Sequence, residues 1–179
     1  MYQEEIAALT AEHLQSHIVA YLAELEDRYA DGVKLQNPKA IESANMVGGV
    51  YTADVKEMPA YAVDIVTKTF SGLTNQGLWE YAYHGHIAGV VTASSEAAVN
   101  AIYKRHEQAV EVFVKRHAHM HAMQSQQNND FRIVELGFED MGLSGAEEVQ
   151  TEPTKYIWIG GFRISLVWIV SEDGPGDHA

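Results

Sequence analysis

"KYIWIGGFRISLVWIV", residues 155–170, decides the fold. In an extended chain successive side chains point to opposite faces, which puts Tyr156, Trp158, Phe162, Ile164, Leu166, Trp168 and Val170 on one side. Ile157, Ile159, Val167 and Ile169 take much of the other. A strand apolar on both faces is expected at the centre of a sheet or beneath a neighbour. Gly160-Gly161 in its middle predicts a bulge or bend. The stretch is short and β-branched and carries Arg163, so it does not read as a membrane helix.

Working outward, the preceding residues supply further strands. "FRIVELGF" (131–138) is strand-like, and "EDMGLSGAEEVQTEP" (139–153) reads as an acidic connector. "WEYAYHGHIAGVV" (79–91) divides by parity, with Trp79, Tyr81, Tyr83, Ile87 and Val91 on the core face. Glu80, Ala82, His84, His86 and Ala88 take the opposite face. "MVGGVYTADV" (46–55) and "AYAVDIVTKTF" (60–70) are rich in Val, Ile, Thr and aromatics, with Pro59 at their junction.

Two segments have helical periodicity. Between residues 3 and 29, Ile6, Thr10, Leu14, Ile18, Tyr21, Leu22 and Leu25 share a face that Tyr29 extends, with His17 at its edge and His13 just outside it. Gly32 and Pro38 end that helix. A second helix over 95–119 starts at Ser94 or Ser95 as N-cap, with Glu96 in the first turn. Its stripe is Val99, Ile102, Tyr103, Val110, Phe113 and Val114, joined by His106 and His117. Lys104-Arg105 and Lys115-Arg116 are expected on its solvated side. The order predicts an α+β domain: an antiparallel or mixed sheet with a long N-terminal helix and a second long helix packed on it. One domain, 1–179, divides into a helix (1–30), strands (46–93), a helix (94–119), long C-terminal strands (130–170) and a tail (171–179).

Composition excludes several functions. The chain has no cysteine, so thiolate zinc sites, disulfides and cysteine nucleophiles are out. Twelve Lys and Arg against 25 Asp and Glu leave a formal charge of −13, which repels a phosphate backbone rather than gripping it. The opening "MYQEEIAALTAEHL" is acidic and does not read as a signal peptide. No phosphate-binding glycine loop or nucleophile elbow is present, and no cofactor or enzymatic activity is expected.

Two histidine clusters invite a metal reading. In "KRHAHMH" (115–121), His117, His119 and His121 cannot share one helix face, because position i+2 is rotated by roughly 200°. The cluster reads instead as a helix C-terminus, where Lys, Arg and partly charged His offset exposed carbonyls. If it contributes to function, the expected route is pH-dependent charge at a subunit contact. His84 and His86 do share a strand face, with Glu80 on the same side, roughly 7 Å apart along the chain. That is two or three donors without an evident remainder of a site, so a solvent-facing or neighbour-facing strand surface is expected.

The segments "MPAYAVDIVTKTFSG" (58–72), "WEYAYHGHIAGVVTASSEAAVNAIYKRHEQAVEVFVKRH" (79–117), "FRIVELGFEDM" (131–141) and "KYIWIGGFRISLVWIV" resemble the tail terminator (tail completion) proteins of long-tailed bacteriophages. The likeness covers most of residues 46–170. It lies in the order of elements, the proline-alanine strand start, the aromatic strand ending in "VVTA" and the Ser-Ser-Glu helix start. What it implies is a structural protein of the virion tail or neck, assembled in the host cytoplasm as a ring, typically a hexamer. Such a ring ends tail-tube polymerisation, contacts the tube protein and the connector or neck protein, and lets genome DNA pass without specific binding. Another neck or head-completion component is the alternative, and a His-rich metal-binding protein or enzyme a more distant one. Glu139, Asp140, Glu147, Glu148 and Glu152 are expected in an exposed acidic hairpin region facing a lumen or a partner.

Overall fold

The computed structural model describes residues 2–43, 58–119, 131–140 and 144–172. Helix α1 spans Gln3–Tyr29, then come β1 (Ala40–Glu42), β2 (Ala60–Leu73), β3 (Trp79–Ala93), α2 (Glu96–Arg116), β4 (Phe131–Asp140), β5 (Ser144–Glu152) and β6 (Lys155–Glu172). The chain is α+β: two helices against a six-stranded mixed sheet of order β1-β2-β3-β6-β4, with β5 also paired to β6. The strand expected at 46–55 and the tail residues 173–179 lie outside the described residues.

β6 is central, as its two apolar faces demand. On one side it pairs with β3 along its length, from Trp158 opposite Ala93 to Glu172 opposite Trp79. On the other, β4 pairs with its second half and β5 with its first. The even-numbered face is the core: Phe162, Ile164, Leu166, Trp168 and Val170 are fully buried. They pack with Tyr83 and Ile87 of β3 against Leu14, Ile18 and Leu22 of α1 and Val110 and Phe113 of α2. Burying each such side chain is worth about 1.5–3 kcal/mol, so this layer contact dominates the stability.

Both helices start and stop for local reasons. The first has no internal glycine or proline and ends where Ala30 turns left-handed (φ 48°) and donates its N–H to Glu26 O at 2.9 Å. The second is capped by Ser95, whose Oγ accepts from Ala98 N at 3.2 Å. Across the core, Trp168 and Thr10 bind β6 to α1.

Three expectations change. Residues 144–152, read as connector, form strand β5, because the exposed edge of β6 offers them backbone partners. Gly160-Gly161 makes no register shift: pairing to β3 and β5 runs unbroken through both. Gly160 is there for space, since a Cβ would lie 2.6 Å from Tyr103 Cδ1 and 2.9 Å from Val99 Cγ2 of α2. Arg105 is buried rather than solvated. Its guanidinium pairs with both carboxylate oxygens of Asp31 and lies 4.2 Å over the Tyr29 ring.

Candidate functional site

The histidines assemble in a place that no single stretch announces. His13 and His17 are four residues apart on α1, hence neighbours on one face, with ring centroids 4.6 Å apart. α2 stops at Arg116, and His117 caps it, donating its backbone N–H to Phe113 O at 2.9 Å. That stop brings the His117 ring against α1. His13 Nε2 and His117 Nδ1 are 3.2 Å apart, and the rings of His17 and His117 are 4.6 Å apart. One ring nitrogen from each of the three lies within 4.8 Å of the other two, and all three residues are half-buried. Among the described residues this is the one such convergence of three potential metal ligands.

The surroundings orient each ring. His17 Nδ1 donates to the His13 carbonyl at 2.9 Å, leaving Nε2 with its lone pair. His117 Nε2 meets the Tyr21 hydroxyl at 2.9 Å, and the Phe113 ring lies 4.7 Å from the His117 ring. Burial, with the like charges that His13, His17 and Arg116 would present, pushes His117 down to about 4. Burial and then His17 lower His13 as well. The reading of "KRHAHMH" as a helix end therefore holds in position but not in charge. The cationic terminus is Lys115 and Arg116, with Arg116 held on Glu24 by contacts of 3.0 and 2.8 Å, while His117 is neutral near neutral pH. His119 is exposed, and His121 lies outside the described residues.

The other histidine pair sits on the sheet face away from the helices, and its three candidates do not form such a cluster. His84 bonds Glu139 Oε1 through Nδ1 at 2.9 Å and meets Thr69 Oγ1 at 3.1 Å through Nε2. Glu139 is the extra residue of the β4 register shift between Phe138 and Asp140, and such a bulge re-aims a side chain. Glu80 accepts from Ser71 Oγ at 3.2 Å. His86 stands opposite Asp64 and Ser165, its pKa lowered by burial first.

The acidic residues spread along one sheet edge. Glu139 and Asp140 are exposed near the end of β4; Glu147, Glu148 and Glu152 are exposed on β5, and Glu152 pairs with Lys155 at 3.1 Å. On the opposite edge, β1 covers β2 only from Ala60 to Ala62. Beyond that point Val66, Phe70 and Leu73 are 60%, 58% and 62% exposed. Half of the large exposed hydrophobic side chains among the described residues thus sit on this one strand end.

No family model matches the chain, and no curated protein does. Among solved structures, a chain of the virion of a native gene transfer agent particle is similar over 90% of this chain and 95% of its own, at 16% identity and a TM-score of 0.36. A likeness of that degree carries no function across. Among the described residues no helix is long and apolar enough to cross a membrane.

Proposed function

We propose that this chain is a structural virion protein whose copies form a ring that ends tail-tube polymerisation and joins the tail to the head-side connector. Residues 1–179 act in it as one folded unit, and the role is not catalytic. One observation carries the reading: the sheet has two uncovered long edges on opposite sides, one made by β2 beyond Ala62 and the other by β4 and β5, with no strand partner among the described residues. Uncovered edges template pairing with another chain. Because the two edges differ, β2 of one copy meets β4 and β5 of the next, a heterologous contact that closes into a ring when its rotation permits. The apolar side chains on β2 supply the buried area. The acidic residues beside the other edge, within a chain of net charge −13, suit a lumen through which DNA slides without sticking.

The terminator role within this class rests on the resemblance of residues 58–72, 79–117, 131–141 and 155–170 to tail terminator proteins. Native mass spectrometry and negative-stain imaging test it. A ring near six copies that binds the end of a tube assembled from tail-tube protein is expected. A persistent monomer at high concentration with tube protein present would sink the reading, and a ring that binds only connector protein would move it to a neck component.

A further inference from the structure

We propose that His13, His17 and His117 form a three-histidine site for a divalent transition-metal ion, which staples α1 to the end of α2. The donor set is all imidazole, with neither thiolate nor carboxylate, which selects zinc, cobalt, nickel or copper over magnesium and calcium. The spacing fits: His13 Nε2 and His117 Nδ1 are 3.2 Å apart, and two nitrogens bound tetrahedrally at about 2.0–2.1 Å sit roughly 3.3 Å from each other. His17 lies one turn along α1 from His13, and one ligand atom from each of the three rings lies within 4.8 Å of the other two.

Two of the three rings are also placed in the tautomer that ligation needs, and the ion replaces the hydrogen now shared between His13 Nε2 and His117 Nδ1. A ligating histidine donates its other N–H to a fixed acceptor, which sets ring orientation and raises basicity. His17 Nδ1 does so to the His13 carbonyl, and His117 Nε2 is placed to do so to the Tyr21 hydroxyl. The nearby Arg116 charge is offset by its two contacts with Glu24. Three protein ligands leave a fourth position for water.

The test uses the full chain, stripped with chelator and titrated with Co2+ and then Zn2+ near pH 7.5. One equivalent of Co2+ is expected to develop the visible bands of a four- or five-coordinate ion, displaced by Zn2+. At a hundredfold excess over Kd, Zn2+ is expected to raise the melting temperature by roughly 5–10 °C. His17→Gln and His117→Gln, each checked for a native circular dichroism spectrum, are expected to weaken binding at least tenfold. Tyr21→Phe weakens it less, and His119→Gln with His121→Gln leaves it unchanged. If His117→Gln fails to fold, His17→Gln decides. A Co2+ spectrum no different from the free ion, or binding that survives His17→Gln and disappears with the His119/His121 pair, overturns the site.

Discussion

Trp168 on β6 donates its indole N–H to Thr10 Oγ1 on α1 at 3.0 Å, and the same threonine hydroxyl donates to Ile6 O at 2.8 Å. Both residues are fully buried, so this relay is how the largest core side chain satisfies its polar edge. Thr10→Val keeps the shape and removes the acceptor. It is expected to destabilise the fold by about 1–3 kcal/mol, the cost of a buried N–H without a partner. Thr10→Ser restores the bond and should recover part of that loss. Urea midpoints of the three proteins check the order.

Acid is expected to weaken the fold through His106. Its ring is fully buried against the Tyr61 hydroxyl, with Nε2 lacking a hydrogen-bond partner among the described residues, and burial pushes it down to about 4. An unfolded histidine titrates near 6.5, so between those values only the unfolded chain takes up the proton. The stabilising contribution is therefore complete above about pH 6.5 and is lost as pH falls toward 4, on the order of 3 kcal/mol. His13 and His117 shift in the same direction. Unfolding curves of wild type and His106→Leu between pH 7 and 4.5 isolate the share of His106: the variant is expected to show the shallower dependence.

Glycine replacements separate tight places from open ones. A Cβ at Gly85 would sit 2.0 Å from Asp64 O, a backbone atom that cannot move without breaking the β2–β3 pairing. Gly85→Ala is expected to cost about 3 kcal/mol or more, beyond ordinary overpacking. Gly160→Ala meets side chains of α2 that shift more easily, for about 1–3 kcal/mol. Gly145→Ala on β5 meets nothing within 4 Å among the described residues and should stay within about 0.5 kcal/mol of wild type. Thermal melts rank the three.

Assembly is expected to depend on the β2 edge and not on the core. Val66→Lys with Leu73→Lys replaces two exposed apolar side chains by charge, the way natural edges resist pairing. The monomer melting temperature should change little, while the ring dissociates in native mass spectrometry. A double variant that assembles as wild type does would show that another surface makes the ring.

Much of the architecture is local physics, and was legible for that reason. The apolar repeat from Ile6 to Leu25 needs only a helical period to define a buried face, and Ser95 needs only its own hydroxyl to start α2. The two apolar faces of residues 155–170 call for a neighbour on each side, so β6 had to be central. Strand parity likewise placed Tyr83, Ile87 and Val91 inward and His84 with His86 on the other face.

What tertiary structure decided are the features that depend on a partner distant in sequence. Residues 144–152 are polar and carry no strand signal of their own; they are a strand because the edge of β6 leaves backbone groups to be paired. Arg105 looked like a solvated charge until Asp31 and Tyr29 arrived from the end of α1 to cover it. Gly160 resembled a bulge and turned out to be clearance for Tyr103. The histidines show the same division. The i, i+4 spacing of His13 and His17 is a sequence property, whereas the third ring comes from a position 100 residues after His17, brought there because α2 ends at Arg116 beside α1. Periodicity fixes which face of an element is apolar; only the packing of one element on another determines which polar groups meet.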